Sequence, residues 1–157
     1  MDSAEFRRIL GHWASGVAIV TTRTQEGRPC GLTANAFASL SLDPLLVLVC
    51  VEKDADTHDC IRAAQTFAVN ILMSEHEGIA RRFAAWEVER KFDGLAYHDE
   101  TTGSPILDDA LAWIDCRLHT EYDGGDHTIF VGEVAAGDAR EGTPLLYYRG
   151  GYGRFTP

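Results

Sequence analysis

Long apolar runs are missing from this 157-residue chain. The longest, Leu45 to Val51, is far too short to cross a membrane. The opening stretch, MDSAEFRRIL, carries charges where a signal peptide would carry an apolar segment, so a cytoplasmic location is expected. No G-x-G-x-x-G follows a strand and no G-x-x-x-x-G-K-S/T occurs, which excludes a Rossmann-type or P-loop phosphate cradle. Gly150-Gly151-Tyr152-Gly153 has the wrong spacing for either. The G-x-S-x-G elbow and the H-E-x-x-H helix are also absent, which argues against hydrolase and zinc-protease chemistry. The four cysteines form no C-x-x-C pair, so no metal site is expected; Cys30, Cys50 and Cys116 sit in apolar runs as reduced thiols do. Positive charge is scarce: 14 Lys and Arg stand against 24 Asp and Glu, for a net charge of −10 and a pI near 4.9. Such a surface repels nucleic acid and anionic membranes, so neither is expected as a partner. Lysine is scarcest of all, occurring only as Lys53 and Lys91.

What remains reads as one domain over residues 1–157, with 45% apolar and 24% charged residues. Asp2 and Glu5 form a candidate capping box for a helix reaching about Ala14, with Phe6, Ile9, Leu10 and Trp13 on one face and Gly16 ending it. Val17 to Thr22 is β-branched and predicts a strand; a second starts near Cys30 and runs into Thr33–Ser39. Asp43-Pro44 breaks the chain before Leu45–Val51, whose unbroken apolar character predicts a strand buried on both faces. Asp56 and Thr57 can cap a short helix to about Ala64. Phe67–Leu72 predicts a strand, and Ser74 with Glu77 fits a capping box for a helix to about Ala85. Residues 86–104 show no period and are expected to be loop. Leu111–Thr120 and Thr128–Val134 predict long strands joined at Asp123-Gly124-Gly125-Asp126, and Leu145–Tyr148 a last strand before a Gly-rich tail. Six or seven strands follow one another with few helices between them. That pattern favours a mainly β, antiparallel barrel with two or three peripheral helices over a doubly wound sheet.

Four stretches carry candidate chemistry. In Gly31-Leu-Thr-Ala-Asn-Ala-Phe-Ala-Ser39, small residues alternate with Thr, Asn and Ser. Small side chains let a planar ligand approach the backbone, and the polar ones can bond its rim; composition alone fits an ordinary loop equally well. Lys53–Thr57 joins the apolar strand to a helix start, where open amides and a lysine suit an anion, although Asp54 and Asp56 oppose it. His127 stands at a strand entrance in Gly125-Asp-His-Thr128, a position a surface histidine also occupies. Tyr147, Tyr148, Tyr152 and Phe155 could stack on a ring or fill a core or subunit interface.

Taken in order, FRRILGHWASGVAIVTT, GLTANAFASLSLDP, LLVLVCVEK, FAVNIL, ARRFA, GDHTIFVGEV and PLLYYRGGY resemble the flavin reductase family with the FMN-binding split barrel, from Phe6 to Tyr152. The resemblance implies an antiparallel Greek-key split barrel that forms a homodimer, with flavin near the subunit interface. It implies NAD(P)H-dependent reduction of FMN or FAD, with NADH or NADPH as hydride donor and a flavin-dependent monooxygenase as partner. By the same resemblance Thr33, Ala34, Asn35, Ala36 and Ser39 line the isoalloxazine and ribityl chain. Cys50, Val51, Lys53 and Thr57 approach the ring edge and phosphate, and Lys91 and Phe92 belong to a later cofactor-contacting segment. His127 is implied to stand near the nicotinamide, as the catalytic position, with Tyr152 beside the same pocket. One departure is Asp43-Pro44-Leu45, where the family often has two prolines. A non-catalytic flavin-binding electron carrier on the same barrel is the alternative; rapid NADH oxidation with added flavin separates the two.

Overall fold

The computed structural model describes residues 1–85 and 90–156. In chain order the elements are α1 (Ser3–Leu10), β1 (Ser15–Gly16), β2 (Ala18–Arg23), β3 (Pro29–Ala34), β4 (Phe37–Leu42), β5 (Leu45–Glu52), α2 (Asp56–Ala64), β6 (Thr66–Ile71), α3 (Glu77–Ala84), β7 (Tyr97–Asp99), β8 (Pro105–Leu107), β9 (Ala112–Gly124), β10 (His127–Ala139), β11 (Leu145–Tyr148) and β12 (Gly151–Arg154). Strands outnumber the sequence expectation for two reasons: β1, β7, β8 and β12 are short, spanning two to four residues each, and the single strand expected from Cys30 into Thr33–Ser39 is split at Asn35-Ala36 into β3 and β4. Residues 97–99, expected as loop, pair with 105–107 in a small hairpin. Part of that expected loop, 86–89, lies outside the described residues.

Seven strands form one antiparallel sheet in the order β3-β2-β6-β9-β10-β5-β4. Its two edges, β3 and β4, are successive in sequence and joined only by Asn35 and Ala36. The Cys50 N–H donates to the Ala36 carbonyl at 2.9 Å, which extends the β4–β5 ladder into this link, and β3 also lies against β5. The architecture is the mainly β, antiparallel split barrel. Two register shifts, at Val131/Gly132 and Val134/Ala136, kink the long β9–β10 hairpin as bulges do.

Strand alternation divides the core in two. Ala18 and Val20 of β2 join Val49, Val51, Phe67, Val69 and Phe130 inside the barrel. Val17 and Ile19, facing the other way, join Leu72, Ala80, Phe83, Leu107 and Leu145 under α3. Asn70 ties the β7–β8 hairpin to the barrel: its amide donates to the Ile19 carbonyl at 3.1 Å and its oxygen accepts from the Leu107 N–H at 2.8 Å. All four cysteines are free thiols, with Cys30 and Cys60 facing each other at 2.7 Å between β3 and α2.

Several local expectations are corrected. The first helix stops at Leu10, capped by Gly11 rather than ended by Gly16. The Gly11 carbonyl accepts from the Arg149 N–H at 3.0 Å, and Ser15–Gly16 pairs with β11, so the chain is drawn out of the helix. Asp2 does cap that helix, accepting from the Glu5 N–H at 2.8 Å. Phe6, Ile9 and Leu10 of that helix, and Trp13 just past its end, are all exposed. Strand β5 is not covered on both faces but alternates, with Val47, Val49 and Val51 in the core and Leu46, Leu48 and Cys50 half-buried on the outer side. Helix α2 starts with Ala55 as its N-cap, and neither Asp56 nor Thr57 caps it. His76, not Ser74, precedes α3; the Ser74 hydroxyl bonds Glu75 and Thr143 instead, and Glu77 pairs with Arg81 at 2.6 Å.

Candidate active site

The closing link of the barrel leaves a pocket of about 270 Å³ between the two sheet edges. Its floor comes from the end of β3 (Leu32, Thr33, Ala34), the link itself (Asn35, Ala36) and the end of β5 (Cys50, Val51, Glu52). The first turn of α2 (Ala55, Asp56, Thr57) and the end of α3 (Phe83, Ala84, Ala85) form walls, and Lys91 and His127 complete the lining. Nine of the thirteen residues singled out from sequence thus share one cavity: Thr33, Ala34, Asn35, Ala36, Cys50, Val51, Thr57, Lys91 and His127.

Each wall has a physical origin. Gly31 lets the Phe83 ring lie against β3: a Cβ there would fall 2.8 Å from the ring. The Thr33 hydroxyl donates to the Ala80 carbonyl at 2.6 Å and so ties β3 to α3. Its proton is spent, which leaves Thr33 an acceptor toward the pocket. Asn35 is exposed and lines the pocket from the link. No side chain caps α2, so first-turn amides face the pocket with the positive end of the helix dipole behind them.

Lys91 is the cation of this pocket. It is only 8% exposed, and its ammonium donates to the Gly31 carbonyl at 3.1 Å, one acceptor for three donors. Burial lowers its pKa, opposed chiefly by the charge of the Asp56 carboxylate. Lys53 points elsewhere: its ammonium is held by the Asp123 carboxylate at 2.5 Å and the Gly125 carbonyl at 2.6 Å, at the tip of the β9–β10 hairpin. Burial pushes the Cys50 thiol up, so it remains protonated near neutral pH and is no nucleophile.

His127 begins β10 opposite Glu52 of β5, and its Nδ1 lies 2.7 Å from the Asp126 carboxylate. In the neutral ring that contact places the proton on Nδ1 and leaves Nε2 as acceptor. The bond to His127 is the first cause holding the Asp126 carboxyl below its usual range.

The other sequence candidates lie outside the pocket. Ser39 is exposed on β4, opposite Val47. Phe92 packs edge-to-face on Phe83, ring centroids 5.0 Å apart, and so supports the pocket from behind. Tyr152 lies against Tyr147 at 5.5 Å and under the Arg81 guanidinium at 5.0 Å, lining a neighbouring cavity of about 200 Å³ that also touches Thr33, Asn35 and Ala84. The sequence reading missed Leu32, Glu52, Ala55 and Asp56, which flank residues it did name, and Phe83–Ala85. The last three end an amphipathic helix, and nothing in their side chains announces a ligand.

Small residues under a planar space, a buried ammonium, open helix amides and an oriented imidazole suit a flat, phosphate-bearing ligand and no acid–base dyad. No cluster of His, Cys, Asp and Glu fit to hold a metal occurs among the described residues. Comparison with known proteins agrees. The flavin reductase like domain family matches residues 10–156. The reductase component of a 4-nitrophenol 4-monooxygenase/4-nitrocatechol 2-monooxygenase from Rhodococcus opacus is 44% identical, covering 100% of this chain and 83% of its own length. An NADH-dependent FMN reductase from Agrobacterium fabrum is 40% identical over 99% of this chain and 87% of its own. The solved structure of an NADH:FAD oxidoreductase from Streptomyces globisporus, in complex with NAD and FAD fragments, superimposes with a TM-score of 0.93 at 39% identity, covering 99% of this chain and 94% of that one.

Proposed function

The chain belongs to the flavin reductase family, and we propose that it is an oxidoreductase in which NADH reduces FMN or FAD held in this pocket, the reduced flavin then serving a partner monooxygenase. The observation that carries the reading is the pocket itself: small backbone-exposing residues, a buried lysine and an uncapped helix start face one space. A bound flavin supplies a ring nitrogen that takes up the hydride from the nicotinamide; the protein's part is to hold two rings face to face.

Ala34 and Ala36 admit the ring plane to the backbone, while Asn35 offers both donor and acceptor to its polar edge. Lys91 and the first amides of α2 take the phosphate, which supplies the counter-charge that the buried ammonium lacks. The acceptor Nε2 of His127 suits a carboxamide N–H, and the Nδ1 contact fixes the ring's orientation. Tyr152 bounds the same side of the space through the adjoining cavity. Lys53 and Ser39 act at a distance if at all, and Phe92 acts through Phe83.

The functional unit is a homodimer of single-domain chains in the cytoplasm. Support comes from apolar surface that one chain leaves open: Leu42 is 87% exposed on β4, beside Leu40 and Leu45 at 50% and 52%, and the apolar face of α1 is uncovered as well. Four free thiols suit a reducing compartment. Anaerobic mixing of the protein with FMN or FAD and NADH tests the activity. Loss of the flavin absorbance band with turnover is expected; flavin binding without NADH oxidation would leave the electron-carrier reading instead.

A further inference from the structure

Cys30 near the start of β3 and Cys60 in the middle of α2 are 30 residues apart, so no short cysteine motif announces them. In the fold their sulfurs face each other at 2.7 Å, both as free thiols. A disulfide bond is about 2.05 Å long, so closing it requires the sulfurs to approach by only about 0.65 Å.

The two thiols differ. Cys30 is 3% exposed, and burial, followed by the contact with Cys60, pushes its thiol up to about 12. Cys60 is half-buried and reaches solvent. A soluble oxidant therefore meets Cys60 first, with Cys30 behind it as the resolving thiol. The pair also lies beside the pocket. Gly31, next to Cys30, accepts from the Lys91 ammonium, and Leu32–Ala34 carry β3 into the pocket floor. Cys60 stands one turn beyond Asp56 and Thr57 of the pocket wall. A bond between the sulfurs would join the two sides between which the flavin phosphate is proposed to sit.

We propose that Cys30 and Cys60 are a peroxide-sensitive dithiol, whose disulfide loosens the pocket's hold on the flavin phosphate. The bond rests on the sulfur pair alone; the source of the peroxide and the effect on the pocket rest on the flavin reductase reading. Hydrogen peroxide forms whenever dioxygen takes the two electrons of a reduced flavin that no oxygenase has used. The Cys60 thiolate attacks one peroxide oxygen and breaks the O–O bond. That oxygen stays on sulfur as a sulfenic acid, and the other leaves as hydroxide, which takes up the thiol's proton to become water. The Cys30 sulfur then attacks the Cys60 sulfur, the S–O bond breaks, and the Cys30 proton leaves with the hydroxide as a second water. Two thiols and one peroxide thus give one disulfide and two waters, the sulfurs supplying both electrons. The second step is intramolecular, which offsets the small thiolate fraction of Cys30. Closure draws α2 toward β3 and disturbs the spacing between the first-turn amides and Lys91. A reductase whose electrons reach dioxygen thereby slows itself.

The test treats the intact chain with hydrogen peroxide, removes the peroxide, and maps the unreduced peptides. A linked Cys30–Cys60 peptide is expected. The bond closes a loop of about 30 residues in the unfolded chain, so Tm should rise by about 5 °C or more. The Kd for FMN, read by fluorescence quenching, should rise severalfold while that for riboflavin holds, and dithiothreitol should reverse both changes. Cys60→Ser should show neither change. Cys30→Ser should instead accumulate the Cys60 sulfenic acid, which dimedone traps, a mark that a merely neighbouring thiol would not leave; should that variant fail to fold, Cys60→Ser decides alone. Absence of the linked peptide, a bond that leaves FMN affinity unchanged, or the same FMN loss in Cys60→Ser overturns the proposal. A chain that forms the bond yet reduces no flavin with NADH sinks the activity reading and leaves the disulfide standing.

Discussion

Replacing Lys91 with methionine separates the phosphate contact from every other contribution of the pocket. The side chain is 8% exposed and gives its ammonium one protein acceptor, Gly31, at 3.1 Å. Burial lowers its pKa below the ordinary 10.5, so the unfolded chain holds the proton more tightly than the folded one. Between the folded and unfolded values, stability without ligand therefore rises with pH; below the folded value the full cost of the buried charge is present. Methionine keeps most of the stem and removes the charge. The ligand-free variant should be at least as stable as the parent at pH 7 and should lose that rise. A charge-assisted hydrogen bond to phosphate contributes about 1.5–3 kcal/mol, so the Kd for FMN should climb about tenfold to a hundredfold. Riboflavin has no phosphate, and its affinity should barely move. Quenching of flavin fluorescence on titration measures both, and urea unfolding across pH 7 to 11 measures the linkage. Equal losses for FMN and riboflavin would refute the phosphate role, and so would FMN affinity equal to the parent's.

His127→Ala should lower the anaerobic rate of flavin reduction by NADH about a hundredfold while leaving flavin Kd near the parent value, because slight misplacement of reacting atoms is that costly; stopped-flow absorbance reads the rate, and an unchanged rate returns His127 to the role of a surface residue. Gly31→Ala would put a Cβ 2.8 Å from the Phe83 ring. It should cost about 1–3 kcal/mol by urea unfolding, and Phe83→Leu should recover part of the loss. Leu42→Asp places a charge on a residue 87% exposed in the single chain, so it should leave the fold's circular dichroism intact and shift sedimentation at micromolar concentration from dimer to monomer; a parent that already sediments as a fully active monomer would refute the dimer. Cys50→Ala should retain flavin reduction within a fewfold, since burial keeps that thiol protonated, and a complete loss of turnover would show chemistry there that the geometry does not predict.

Sequence made the barrel legible where one physical signal dominated. β-branched runs marked β2 and β6, and the Asp-Gly-Gly-Asp segment marked the β9–β10 connection, where Gly125 takes φ +82°. It failed where tertiary partners decide. Leu45–Val51 looks buried on both faces because every residue is apolar, yet period-2 alternation sends only Val47, Val49 and Val51 inward. The capping signals at Asp56 and Ser74 were real side-chain chemistry, but Ser74 was claimed by Thr143, a contact between residues 69 apart. Residues 97–99 pair only because the neighbouring segment folds back against Asn70.

The two lysines show the limit most clearly. Both sit in loops, and both belong to stretches the family resemblance ties to the cofactor, so local sequence ranks them equally. Only its place nearer the helix start favours Lys53 as the phosphate ligand in the sequence. In the fold, the hairpin tip reaches back to β5, and Asp123 and Gly125 capture the Lys53 ammonium on an exposed surface, where the pair contributes little. Lys91 enters from the other side, beneath α3, and loses water without gaining a carboxylate within hydrogen-bond reach. Composition cannot distinguish a cation that has found its anion from one that still needs it. That difference arises from contacts made 70 residues away for Lys53 and 60 residues away for Lys91, and it is why the proposed phosphate ligand is the lysine that the protein leaves short of charge.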